Sequence, residues 1–186
     1  MNYSKRQTDL ASFFKKWEGG LSRDPKDTAS VDPCPTPYKG KTGYHTNKGI
    51  TYQTWKSFFG KSNDKRFYDM SDADWFQVFE KGYWNPMAKV TDNELILCVL
   101  SSWAWGSGVS GAIKHLQRFL RVEDDGIVGK DTRGALSKAL SNHGEKDLAL
   151  LMCDNRAYQF SKMKSFPAHG KGWLNRLKEF REFVSR

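Results

Sequence analysis

Apolar side chains recur at steps of three and four over most of this chain, and that periodicity points to a mainly α fold. From Thr91 onward the pattern is helical almost throughout. Segments near 92–105, 109–120, 130–140, 145–164 and 171–185 are set off by Gly106, Gly126, Gly129, Gly144 and Gly170. Near the N-terminus, Leu10, Phe13, Phe14, Trp17 and Leu21 share the same spacing behind an N-cap candidate at Thr8, and Gly19-Gly20 stops the run. Ser71 with Asp74 three residues on is a capping-box signature, opening a helix that carries Trp75, Phe76, Val78, Phe79 and Tyr83 and ends before Asn85-Pro86. A shorter helical stretch covers Tyr52 to Phe59. Between Leu21 and Gly49 the chain is rich in Pro, Gly and Asp, which suits a long loop and one small β-hairpin near Gly49-Ile50-Thr51. The expected organisation is residues 1–90 and 91–186, with a soft boundary near Met87 to Asp92 and no real linker, packed as one body.

Charge limits the partners. The 186 residues carry a formal net charge of +9, concentrated late, where residues 155–186 hold four Lys and four Arg against Glu179 and Glu182. Such an excess suits a polyanionic surface: nucleic acid, anionic lipid or a bacterial envelope. No helix-turn-helix, zinc-finger or RRM signature is present, so no nucleic-acid partner is expected. The start of the chain has no apolar stretch behind its basic residues, and nowhere do about 18 apolar residues run together. A protein made in the cytoplasm without a signal peptide and without stable membrane insertion is therefore expected, needing release or secretion to meet an external substrate.

Cys34, Cys98 and Cys153 are an odd number without CxxC spacing, and Cys98 and Cys153 read as small buried residues. His45, His115, His143 and His169 show no HExxH spacing, which leaves a zinc amidase little support and gives no expected metal or cofactor. Gly106, Gly108 and Gly111 satisfy GxGxxG but follow a helical stretch rather than a strand, which argues against a dinucleotide site. There is no GxSxG elbow.

Glu18 is the residue most suited to chemistry. It lies at the end of the first helix, beside Trp17 and before the glycine pair. A helix C-terminus carries partial negative charge and an aromatic neighbour desolvates, so both disfavour the carboxylate and are expected to raise its pKa toward that of a proton donor. A glycosidase needs such a general acid. The plainer alternative is a solvent-facing Glu, although Glu is a poor electrostatic choice for a last helical turn. Downstream, Asp24 and Asp27 occupy a loop that can fold back across Glu18; an inverting glycosidase places its carboxyl groups about 6.5–9.5 Å apart with a water between. Both are equally readable as turn residues.

Trp17-Glu18-Gly19-Gly20, Asp24-Pro25-Lys26-Asp27, Thr46-Asn47-Lys48-Gly49-Ile50-Thr51 and Tyr83-Trp84-Asn85-Pro86 occur in that order, and together they resemble the glycoside hydrolase family 108 N-acetylmuramidases. The resemblance implies a lysozyme-like fold in which a helix precedes a hairpin, with Glu18 as catalytic acid. Asp27 and Thr46 are the matching positions for the residues that orient water in phage-type lysozymes, and no cofactor is implied. Residues 29–45 replace a shorter Gly-Gly link of the family. Farther on, Ala112 to Leu120, Asp125-Gly126-Ile127-Val128-Gly129-Lys130-Asp131-Thr132 and Ala135-Leu136 are similar to the peptidoglycan-binding module that accompanies this family, and Gly170-Lys171-Gly172-Trp173 with Asn175-Arg176 resembles the family's closing segment. As bare sequence, the D-G-x-x-G-x-x-T run is also simply a turn feeding a capped helix.

Asp24, Tyr83, Trp84, Trp103 and Trp105 are candidate substrate-binding residues, with Trp103 and Trp105 a possible stacking wall for sugar rings or else core. The expected activity is hydrolysis of the β-1,4 bond between N-acetylmuramic acid and N-acetylglucosamine in bacterial peptidoglycan. A lytic transglycosylase using Glu18 alone and a non-catalytic peptidoglycan-binding protein are the alternatives.

Overall fold

The computed structural model describes residues 4–186, apart from the side chain of Thr28. Helix α1 (Lys5–Trp17) opens the chain. Its first turn is closed by Ser4, whose Oγ accepts the Gln7 amide at 3.2 Å. Thr8, expected as the cap, lies inside the helix instead and donates its hydroxyl to the Lys5 carbonyl at 2.8 Å, the local bonding that lets Thr sit within a turn. The described residues form two compact units, Ala11–Glu80 and a second made of Lys81–Arg186 with the described residues before Ala11.

Residues 11–80 hold the sheet. Strands β1 (Leu21–Ser22), β2 (Thr46–Asn47) and β3 (Ile50–Thr51) form an antiparallel sheet in the order β1-β2-β3, with Ser22 opposite Thr46 and Thr46 opposite Thr51. The expected hairpin is β2–β3, and β1 adds a third strand to it. Lys48 and Gly49 form the two-residue turn at φ 48° and 75°. Positive φ at both positions is the type I′ geometry that matches strand twist.

Helices α2 (Tyr52–Phe59), α3 (Asp64–Tyr68) and α4 (Asp72–Phe79) follow. The capping box of α4 is present with both of its hydrogen bonds, from Asp74 N to Ser71 Oγ and from Ser71 N to Asp74. Phe14 meets Phe79 edge-on at 5.7 Å, Trp75 stacks on Phe79 at 5.6 Å, and Trp55 and Phe67 complete the aromatic core. Rings of this size dominate core energetics, so truncating Phe14 or Phe79 costs about 3–5 kcal/mol.

The long loop of residues 29–45 docks onto α2 and α3. Thr36 donates from its amide and hydroxyl to Asp64 Oδ2 at 2.9 and 2.6 Å, and Tyr52 donates its hydroxyl to the same carboxylate. Burial would raise the Asp64 carboxyl, but these hydrogen bonds outweigh it and hold the group below the usual carboxylate range. Tyr68 donates to the Pro35 carbonyl at 3.3 Å. The loop carries a second two-residue turn at Lys39-Gly40, where Tyr38 and Lys41 exchange backbone bonds of 3.0 and 2.9 Å.

In the second unit, a π-helical turn at Glu80–Trp84, straddling the unit boundary at its first residue, runs into α5 (Asn85–Ala88). The helix therefore does not stop before Asn85-Pro86: the π-helical turn leads straight into α5, which takes Pro86 in its first turn. Helix α6 (Glu94–Leu120) is broken at Gly108, with φ 72°, whereas Gly106, the expected break, stays helical. By length and composition α6 is apolar enough to cross a membrane, but half of that stretch is buried, and Leu95 to Leu100 lie in the core of the unit.

Helices α7 (Lys130–His143), α8 (Glu145–Ser161) and α9 (Phe166–Ser185) complete the chain. Cys98 and Cys153 are buried, and burial pushes both thiols up to about 12. The result is a mainly α fold with one small antiparallel sheet.

Candidate active site

Glu18 follows directly on α1, its amide still bonded to the Phe14 carbonyl at 3.0 Å. Its side chain projects onto the β2–β3 turn. A Cβ added at Gly49 would lie 2.2 Å from Glu18 Oε2 and 2.5 Å from its carboxyl carbon. Glycine at position 49 is thus required twice, for its positive φ and for the room that the carboxylate occupies.

The turn itself is pinned to α4. Trp75 donates its indole N–H to the Lys48 carbonyl at 2.9 Å, Lys48 Nζ reaches the Met70 carbonyl at 2.8 Å, and Asn47 Nδ2 reaches the Phe67 carbonyl at 2.6 Å. Asp72 joins the same framework: Lys15 of α1 pairs with it at 2.6 Å and Lys48 at 3.6 Å. The Lys15 hydrogen bond holds the Asp72 carboxyl low despite its slight desolvation. Exposed pairs of this kind contribute little each, and the buried indole and amide bonds carry the positioning.

Asp24 and Asp27 form one turn, closed by Asp27 N to the Asp24 carbonyl at 3.1 Å. The Asp24 carboxylate is used within the turn, accepting the Lys26 amide at 2.9 Å. The exposed Asp27 instead accepts from Ser22 Oγ at 3.1 Å. Ser22 lies directly across the β1–β2 ladder from Thr46, and directly opposed residues project from the same face of a sheet. The Asp27 carboxylate is therefore tethered beside the face that carries Thr46.

Sequence patterning missed His45. It is 2 % exposed, with Nε2 3.1 Å from the Asp24 carbonyl and Nδ1 2.9 Å from Thr46 Oγ1. A carbonyl only accepts, so Nε2 carries the proton in this bond. In the tautomer with its proton on Nε2, Nδ1 accepts a hydrogen bond donated by the Thr46 hydroxyl, whose oxygen can still accept one from water. Its position immediately before Thr46 was the available signal. Residues 29–45 anchor on Asp64 and Tyr68 of α3, and the His45 carbonyl accepts the Tyr52 amide at 2.7 Å.

The aromatic candidates lie in the second unit, and the structure separates them. Tyr83 and Trp105 are half-buried and in contact, with ring centroids 4.8 Å apart. Trp84 and Trp103 are 7 % and 2 % exposed. Of the two alternatives for Trp103 and Trp105, the shared wall does not form, because residues two apart on a helix face different sides; Trp103 turns inward into the core and Trp105 outward.

The D-G-x-x-G-x-x-T run is bound internally by the buried Gln117. Its Nε2 donates to Asp125 Oδ1, the Ile127 carbonyl and Thr132 Oγ1 at 2.7, 3.0 and 3.2 Å, and its Oε1 accepts the Gly126 amide at 2.8 Å. Among the described residues no group of three or more His, Cys, Asp or Glu side chains is placed to hold a metal.

The profile of the family described as Glycosyl hydrolase 108 matches residues 11–108. That stretch contains Glu18, the Asp24–Asp27 turn, the hairpin and Trp105. Among solved structures, that of Brucella abortus SagA is similar in fold, with a TM-score of 0.74 and 24% identity over 97% of this chain and 95% of that one. No curated protein matches the chain.

Proposed function

Because this chain belongs to the glycosyl hydrolase 108 family and is a glycoside hydrolase, we propose that it cleaves the β-1,4 bond between N-acetylmuramic acid and N-acetylglucosamine in bacterial peptidoglycan. The observation that carries the reading is the Glu18 carboxyl lying against Gly49 of a hairpin whose β2 strand presents Thr46 and whose neighbouring β1 strand tethers Asp27. Glu18 donates its proton to the glycosidic oxygen as the bond from that oxygen to the muramic acid anomeric carbon breaks. Water held by Thr46 attacks that carbon and passes its proton to Asp27. His45 is a positioning residue in this scheme: it touches no substrate and orients the Thr46 hydroxyl.

Several features support this assignment of roles. A fixed Glu at a helix end, a turn carrying a second carboxylate and a hydroxyl aimed by a buried imidazole are the parts that acid-assisted attack by water requires. The net charge of +9 favours accumulation on an envelope rich in carboxylates and phosphates. Tyr83 and Trp105 are half-buried rings in contact, of the kind that pack on sugar rings.

The test is loss of turbidity of purified peptidoglycan with wild type and Glu18→Gln, followed by mass analysis of the fragments. Wild-type clearing with products one water heavier, and clearing lowered by at least about a thousandfold in the variant, is the expected result. Unchanged clearing by Glu18→Gln overturns the assignment. Products ending in an anhydro sugar make the enzyme a lytic transglycosylase.

A further inference from the structure

Within the second unit, α6, α8 and α9 line a pocket of about 200 Å³. Its walls are largely aromatic, from Trp103, Phe160, Trp173 and Phe180, its charged lining is Arg156 and Arg176, and no carboxylate lines it.

Arg156 is the anomaly. It is only 9 % exposed, yet its one close charge-related contact is the face of Phe160, 4.8 Å away, and among the described residues it has no ion pair or hydrogen bond. A Cβ built on Gly106 would lie 3.5 Å from its Nη2, so the guanidinium reaches across from α8 to the α6 backbone. Burial pushes the guanidinium down to about 10. His115 offers no counter-charge: its buried Nδ1 has no partner, and burial, then Arg156 and Arg118, push the ring down to about 4.

An unpaired buried cation is costly, more so than a single aromatic face offsets. A guanidinium presents a planar donor fork that matches a carboxylate. Ligand pockets are commonly apolar cavities with a few convergent polar groups, and this one falls below the drug-sized range of about 300–1,000 Å³. One or two small residues fit such a space, and a disaccharide does not.

We infer that this pocket binds the carboxylate end of a short peptide, with Arg156 taking the carboxylate and the aromatic walls taking the small apolar side chains beside it. The natural ligand, a stem peptide of peptidoglycan with a free terminal carboxylate, rests on the function proposed above; the pocket chemistry does not.

The test uses the full chain and two probes, N-acetyl-D-alanyl-D-alanine and the same dipeptide with a C-terminal carboxamide. ¹H–¹⁵N spectra follow the Arg156 Nε–H and the Trp173 indole. Saturable shifts with the carboxylate, binding at least about tenfold weaker for the amide, and loss of binding in Arg156→Met at an undiminished thermal midpoint are expected. If Arg156→Met does not fold, Arg156→Lys, which keeps the charge but loses the fork, is expected to weaken the carboxylate by about tenfold. Equal binding of the two probes, no binding of either, or full binding by the substituted proteins overturns the inference. Clearing of peptidoglycan that still depends on Glu18 while the dipeptide fails to bind removes this pocket alone; dipeptide binding with clearing unaffected by Glu18→Gln removes the hydrolase roles alone.

Discussion

Gly49→Ala tests the link between the hairpin and Glu18. Two penalties are superimposed at this position. An alanine at φ 75° bears the left-handed strain of an L-residue, about 1–2 kcal/mol. Its Cβ would also sit 2.2 Å from Glu18 Oε2, so the carboxylate must retreat by about 1 Å to restore a contact of 3.0–3.4 Å. A displacement of about 1 Å in a catalytic group can cost about a hundredfold in rate.

Gly40 is the matched control. It occupies the equivalent place in the Lys39-Gly40 turn, with φ 75° and nothing within 4 Å of an added Cβ. Both variants are expected to lose similar stability in urea titration, and Gly49→Ala alone is expected to lose about a hundredfold in the rate of peptidoglycan clearing. Clearing rates for Gly49→Ala within about threefold of those for Gly40→Ala would refute the idea that the glycine makes room for a working carboxylate.

His45→Leu frees the Thr46 hydroxyl from its imidazole and is expected to lower kcat by about tenfold at unchanged KM, with little added loss in a His45→Leu, Thr46→Val double variant; additive losses would argue against a shared role. Gln117→Leu removes four hydrogen bonds from the Asp125–Thr132 turn and is expected to destabilise by about 2–4 kcal/mol in urea unfolding, whereas a change under about 0.5 kcal/mol would show the turn holding itself.

His115 sits lower folded, at about 4, than its ordinary 6.5, so protons favour the unfolded chain. Its contribution is fully present above pH 6.5 and is lost as pH falls toward 4. After discounting the ring's partial exposure, the loss is about 2 kcal/mol. His115→Phe should flatten the stability profile by that amount across this window, and parallel profiles would rule the histidine out as its source.

Much of this protein was readable along the chain. The periodicity of α1, the Ser71–Asp74 capping box and the breaks at Gly126, Gly129 and Gly144 are local signals, each acting within a turn or two, and each reappears in the structure, whereas Gly170 lies inside α9. Local signals placed Glu18 at a helix end. They failed where tertiary packing competes with local preference: Ser4 rather than Thr8 closes α1, the helical path continues through Pro86, and Gly108 rather than Gly106 bends α6.

Partners far apart in sequence were beyond the reach of periodicity. The Glu18 carboxylate meets Gly49, and His45 joins Thr46 to the Asp24 carbonyl. The loop of residues 29–45 anchors on Asp64 and Tyr68, and Trp103 and Trp105 part to opposite sides of one helix. The sequence by itself determined most of the helices, several turn glycines and the place of Glu18 at a helix end. Only the tertiary structure decided what that acid faces, because a carboxylate's surroundings are assembled from strands and loops whose contacts no local pattern encodes.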